Sequence, residues 1–210
     1  MLTFAVSPDR PDPEVIAAAV RVLRAAGVVA YATDTLYGLA VDPRLEEAVS
    51  RLFNVKGRSE HIAIPLIAAD VAQARTVGQF GELELRLARE FWPGPLTLVV
   101  PARPGLTAAL LAGRQTIAIR VPAHAVARAL AAALGCPITS TSANVSGGAA
   151  PASPQQLDAA IAAGIDAVID SGAAPGGAPS TIVDATSGRL QLLRAGAIAW
   201  ERVLRSATEP

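Results

Sequence analysis

The chain has 210 residues, 51% hydrophobic but only 4% aromatic, so its core must be mostly Ala, Val, Leu and Ile. Charged residues are 17%, well below the usual quarter, which argues against a disordered or highly solvated chain. Lys plus Arg and Asp plus Glu number 18 each, so there is no global basic field to hold nucleic acid, and any anion site must be local.

The length suits one domain over residues 1–210, with a core at about residues 12–205. The longest uncharged stretch, 129–157, is broken by Pro137, Pro151 and Pro154 and cannot be one spanning helix. The start, MLTFAVSPDR, has no basic residue ahead of an apolar run, so no signal peptide is expected and the expected location is cytoplasmic. The single cysteine, Cys136, excludes an internal disulfide and a cysteine-built metal site. His61 and His124 are far apart, so no protein metal site is expected, and all three residues are expected to be structural or incidental.

In chain order, Asp12 and Pro13 predict an N-cap and first helical position. Val15, Ile16, Ala19, Val20 and Leu23 form one apolar face, and Gly27 stops that helix. A short buried strand over 28–31 leads into Thr33, Asp34 and Thr35. Asp42 and Pro43 predict the opening of a second helix with Leu45, Ala48, Val49, Leu52 and Phe53 inside, ending near Lys56, Gly57 and Arg58. Further expectations are a strand over 64–68, helices over 71–77 and 82–91, strands over 96–100 and 116–121, and an alanine-rich helix over 126–134. Ile138 starts a short strand that breaks into a Ser/Thr/Asn segment, and Ser153 to Gln156 reads as a capping box opening another helix. Strands over 167–170 and 181–184 flank a Gly/Pro-rich loop. The switching between helical and strand periods points to an α/β fold without internal repeats.

The polar residues outside this apolar pattern gather where strands end: Thr33 to Thr35, Lys56 and Arg58, Thr116 and Arg120, Ser140 to Asn144, Ser180 and Thr181, and Arg194. Ligands of open α/β sheets bind where strands end and loops diverge, so one shared cleft is expected. Hydroxyls, an amide and four cations, with no carboxylate pair, suit an anion or phosphate and not glycosidase-type chemistry. Each cluster has a plainer reading. Lys56 and Arg58 fall at a helix C-terminus, where cations complement the dipole, and Ser140 to Asn144 can be a self-bonded turn. Arg120 is different, because it stands inside an apolar strand pattern where an unpaired arginine is costly. Neither a G-x-x-x-x-G-K-[ST] loop nor a G-x-G-x-x-G after a strand is present, so any ATP site uses another cradle.

The segments YATDTLYGL (31–39), KGR (56–58), FWPGPLT (91–97), AIRVP (118–122), STSANVSG (140–147), STIVD (180–184) and LR (193–194) occur together in this order. With them the chain resembles the YrdC-like threonylcarbamoyl-AMP synthase family, over nearly its whole length. Each segment alone is weak; the set in register is specific. The length resembles the short, single-domain form. The resemblance implies a twisted, open mixed sheet with flanking helices and a concave, positively lined cleft. It implies a nucleotidyltransferase reaction in which L-threonine, bicarbonate and ATP give threonylcarbamoyl-AMP and pyrophosphate. Mg²⁺ would accompany ATP, and a tRNA threonylcarbamoyl-transfer complex would take the product onward. By position, Lys56, Arg58, Thr116, Ser142, Asn144 and Arg194 resemble ATP-binding residues, and Thr35, Arg120, Ser140 and Ser180 threonine-binding ones. No residue is implied as a general base.

One departure stands out. Relatives commonly continue K-x-R with a proline, two residues, then Lys or Asn and a second proline; here Ser59, Glu60, His61, Ile62 and Ala63 follow, so Ile62 replaces the polar residue. The alternative function is a double-stranded RNA- or tRNA-binding module without synthase activity, which the zero net charge disfavours. A related domain also occurs in hydrogenase-maturation carbamoyltransferases, whose partner domains this sequence lacks.

Overall fold

The first helix begins where Asp12 and Pro13 place it. In the computed structural model, which describes residues 1–57 and 62–208, β1 (Leu2–Ala5) precedes α1 (Pro13–Arg24). The Asp12 carboxylate accepts from the Glu14 N–H at 2.8 Å, and Pro13 occupies a first-turn position that needs no N–H. The chain continues through β2 (Val29–Ala32) and β3 (Tyr37–Ala40) to α2 (Glu46–Lys56). Asp42 and Pro43 do not open α2. The Asp42 carboxylate is held by Arg44, from its backbone N–H at 3.0 Å and from Nη2 at 2.6 Å, and this turn delays the helix. Gly57 ends α2 in the left-handed region at φ 55°, where glycine carries no Cβ penalty.

The middle of the chain follows the sequence reading closely. β4 (Leu66–Ile67), α3 (Val71–Val77), α4 (Glu82–Phe91) and β5 (Leu96–Pro101) come first. A short α5 (Ala108–Leu111) then leads to β6 (Thr116–Arg120), α6 (Ala125–Leu134), β7 (Ile138–Thr139) and β8 (Thr141–Ser142). The expected capping box is not made: 154–156 is a single 3-10 turn, and Gln156 Oε1 accepts from the Ala152 N–H at 2.8 Å. The helix starts later, as α7 (Ala159–Gly164), because Asp158 caps it by accepting from the Ala160 N–H at 2.9 Å. β9 (Ala167–Asp170), β10 (Thr181–Asp184), β11 (Gln191–Arg194) and α8 (Trp200–Thr208) complete the chain. Among the described residues no helix is long and apolar enough to cross a membrane.

The strands form two mixed sheets with orders β1-β9-β2-β3-β8 and β11-β10-β5-β6-β4-β7. The first sheet is covered on both faces, and strand alternation sorts its residues between two cores. Val29, Tyr31, Ala40, Ala167 and Ile169 pack against Ile16, Val20 and Leu23 of α1 and Val126, Leu130 and Leu134 of α6. Their alternates, Ala30, Ala32, Tyr37, Leu39 and Val168, enter the core shared with the second sheet. That core takes Leu96, Leu98 and Val100 of β5 and Ile117 and Ile119 of β6. Only one face of β5 and β6 is thus consumed by packing. β7 and β8 belong to different sheets, so the chain passes from one to the other at Ser140.

Candidate active site

The face of the second sheet that packing leaves over is the floor of a cleft of about 440 Å³, a volume typical of small-molecule sites. Period-two alternation dictates what it presents: Thr97 and Val99 from β5, Thr116, Ala118 and Arg120 from β6, Ile182 and Asp184 from β10, with Ser180 just before that strand. One wall comes from the turn between β2 and β3 through Thr33 and Thr35, another from Ser140, Thr141 and Ser142. Arg194 of β11 completes the rim. Seven of the expected residues, Thr35, Thr116, Arg120, Ser140, Ser142, Ser180 and Arg194, therefore line one cavity.

The hydroxyls are oriented, not merely present. Thr33 Oγ1 donates its one proton to the Leu36 carbonyl at 2.8 Å. It also accepts from the Thr35 N–H at 3.2 Å and the Leu36 N–H at 3.3 Å, and it lies 3.0 Å from Thr35 Oγ1. Ser180 Oγ lies 2.8 Å from Thr97 Oγ1 and accepts from Arg194 Nη2 at 3.0 Å. Arg194 also donates to the Ser180 carbonyl from Nε at 3.1 Å and Nη2 at 2.8 Å. Burial and the nearby positive charge of Arg120 push the Arg194 pKa below its ordinary value. A close approach keeps that rim in place: a Cβ on Gly196 would lie 2.3 Å from the Pro179 carbonyl oxygen. Arg120 is 5% exposed and ion-paired to Asp34, which meets the cost of burying it.

Lys56 and Asn144 do not line the cleft. Lys56 is 2% exposed; its Nζ donates to the Ser142 carbonyl and, at 2.8 Å, to that of Asn144, while its own carbonyl accepts from the Ser146 N–H at 3.1 Å. It clasps the loop that carries Ser140 and Ser142. Asn144 Nδ2 donates to the Val145 and Gly148 carbonyls at 2.8 Å each, and its buried Oδ1 has no partner among the described residues. That side chain can only accept a further hydrogen bond, so a phosphate, itself an acceptor, does not suit it in this conformation. Arg58, Ser59 and His61 lie outside the described residues. Cys136 and His124 do not line the cleft; burial and Asp42 push the Cys136 thiol up to about 12, which fits an inert thiol.

Sequence reasoning passed over several lining residues. Thr97 was hidden in an apolar run, although the alternation Leu96, Thr97, Leu98 marks it as facing away from the core. Thr33 lines the cleft beside Thr35, with its hydroxyl on the Leu36 carbonyl. Arg114 and Asp184 also line the cleft, Asp184 accepting from the Thr186 N–H at 2.8 Å and its hydroxyl at 2.6 Å. Ile62 lines it too and is 51% exposed, so it faces the cavity and not the core.

Comparison with known proteins identifies the family and the fold. A sequence model of the Sua5/YciO/YrdC family, described as "Telomere recombination", matches residues 21–196. The chain is similar to the threonylcarbamoyl-AMP synthase of Bacillus subtilis, 35% identical over 194 residues, which are 91% of this chain and 56% of that one. It therefore spans little more than half of that relative. It is 32% identical over 176 residues to the threonylcarbamoyl-AMP synthase of Psychromonas ingrahamii, covering 81% of this chain and 92% of that protein. The crystal structure of P. abyssi Sua5 complexed with L-threonine superposes with a TM-score of 0.93 at 32% identity, covering 100% of this chain and 62% of that one.

Proposed function

The chain belongs to the Sua5/YciO/YrdC family, and from that premise we propose that it is a threonylcarbamoyl-AMP synthase, a nucleotidyltransferase that joins L-threonine, bicarbonate and the adenylyl group of ATP. The observation that carries this reading is the meeting of Thr35, Arg120, Ser140 and Ser180 with Thr116, Ser142 and Arg194 in one cleft, a set of hydroxyls and guanidinium groups suited to an amino acid and a polyphosphate. The guanidinium of Arg120 suits the threonine carboxylate. The Thr35 hydroxyl suits the amino or hydroxyl group of threonine. Arg194 and Thr116 stand on the nucleotide side. Bringing the amine, bicarbonate and the α-phosphate together and neutralising charge is the main contribution such a site makes to transfer at phosphorus.

Mg²⁺ is proposed to enter with ATP. Among the described residues no group of three His, Cys, Asp or Glu side chains could hold a metal. Asp184 is the single carboxylate among the described cleft residues, which fits an ion carried mostly by phosphate and water. The product is proposed to pass to a complex that transfers threonylcarbamoyl to tRNA. The deciding experiment is pyrophosphate release by the purified protein without tRNA. Release should require ATP, L-threonine and bicarbonate together; release that proceeds equally without threonine overturns the reading.

A further inference from the structure

Asp34 stands between Thr33 and Thr35, both of which line the cleft, yet its own side chain does not. One of its carboxylate oxygens accepts from Arg120 Nη1 and the other from the Ala123 N–H at 3.2 Å. The contact ties the hairpin turn of the first sheet to the end of β6 in the second, at the base of the cleft. It is well shielded, with side-chain exposures of 6% for Arg120 and 12% for Asp34.

We propose that Asp34 is a positioning residue for Arg120, fixing the plane of its guanidinium so that the unused edge receives the carboxylate of the amino-acid substrate. With Nη1 held by Asp34, Nε and Nη2 make no hydrogen bond among the described residues, and they form the side-on edge that takes a carboxylate bidentately. A guanidinium on a long side chain loses much of its freedom when one corner is anchored, so the ordering cost is met before the ligand arrives. Charge also matters. Arg114, Arg120 and Arg194 line the same cavity as Asp184, and Asp34 offsets Arg120 from beside it, so the described residues leave the cleft positive for anions.

This inference rests on the threonine assignment proposed above, and the test separates the two. Asp34→Asn keeps an acceptor toward Arg120 but removes the charge; Asp34→Ala removes both. L-Threonine and ATP are titrated separately into wild type and each variant by calorimetry, with thermal unfolding recorded in parallel. Threonine should bind about tenfold or more weakly to Asp34→Asn and more weakly still to Asp34→Ala, while ATP affinity stays within about twofold. A residue that only braced the two sheets would lower the unfolding temperature and leave the ratio of the two affinities unchanged. That result, or equal losses of both ligands, overturns the proposal. If Asp34→Ala fails to fold, Asp34→Asn decides alone. Absence of threonine binding to wild type overturns the substrate assignment and this inference with it. Binding that wild type and Asp34→Asn share equally overturns only the inference.

Discussion

At the scale of single residues, Ser180 is where the proposed threonine and nucleotide sides meet, because its hydroxyl touches Thr97 while its carbonyl and hydroxyl hold Arg194. Ser180→Ala removes the hydroxyl but leaves Arg194 its two bonds to the carbonyl. Threonine use should therefore fall by about 1–3 kcal/mol of binding, as when a buried polar partner is lost, with ATP affinity nearly unchanged. Paired titrations check this; equal loss of both ligands would remove Ser180 from the threonine side. Ile62 allows a gain to be tested. It faces the cleft at 51% exposure, so core packing does not explain the missing polar residue. Ile62→Lys should tighten ATP by about tenfold through a charge-assisted contact. Unchanged ATP affinity would mean that the side chain cannot reach the phosphates.

At the scale of elements, the loop carrying Ser140 and Ser142 depends on α2 through Lys56. Lys56→Met keeps the stem but leaves the Ser142 and Asn144 carbonyls without that ammonium, at a cost of about 1.5–3 kcal/mol, and should weaken threonine and ATP together. A loss confined to ATP, steeply relieved by salt, would restore Lys56 as a direct phosphate ligand. The N-terminus of α6 carries a pH effect. His124 occupies the N-cap position of that helix without bonding it through its side chain, and its buried Nδ1 has no partner among the described residues. Burial holds its pKa below the ordinary 6.5, outweighing the nearby charges of Asp34 and Asp9, while Arg128 depresses it further. The unfolded chain therefore takes up this proton first as pH falls. The stabilisation is complete above about pH 6.5 and is lost as the pH drops through the lower folded-state value. His124→Asn, a residue suited to the N-cap position, should flatten the fall in melting temperature between about pH 7 and pH 5; an unchanged slope would assign that fall to other groups. The elements legible in the sequence were those with a cap or a strong period: α1 from Asp12 and Pro13, α3, α4 and the core strands. Asp42 misled because a capping residue also makes a turn by bonding a nearby backbone N–H, here that of Arg44, and Ser153 misled because Gln156 bonds the Ala152 N–H and not the cap. β3, β8 and β11 escaped because each is short: β3 and β11 pair with the strand just before them, and β8 takes its pairing from β3, far back in the chain. The site was legible by residue type at strand ends. Whether a polar residue faces the cleft or braces it, as with Lys56, depends on packing that spacing does not encode.

At the scale of the whole molecule, the first sheet belongs to two cores at once, since alternate residues of β2 and β9 enter different ones. Breaking either core must disturb the sheet they share, so urea unfolding should be a single transition in which both report together. Leu98 and Leu130, both fully buried, separate stability from function. Leu130 packs in the core of α1 and α6, away from the cleft, whereas Leu98 lies between Thr97 and Val99, both on its floor. Leu130→Ala and Leu98→Ala should each cost about 2–5 kcal/mol by leaving a cavity in a core with few aromatic side chains to collapse into it. Only Leu98→Ala should also weaken threonine and ATP at temperatures where both variants remain folded, because relaxation into its cavity shifts the floor. Equal ligand losses in the two variants would mean that the cleft responds to global stability and not to the strand that builds it, and two separated transitions would mean that the cores fold independently.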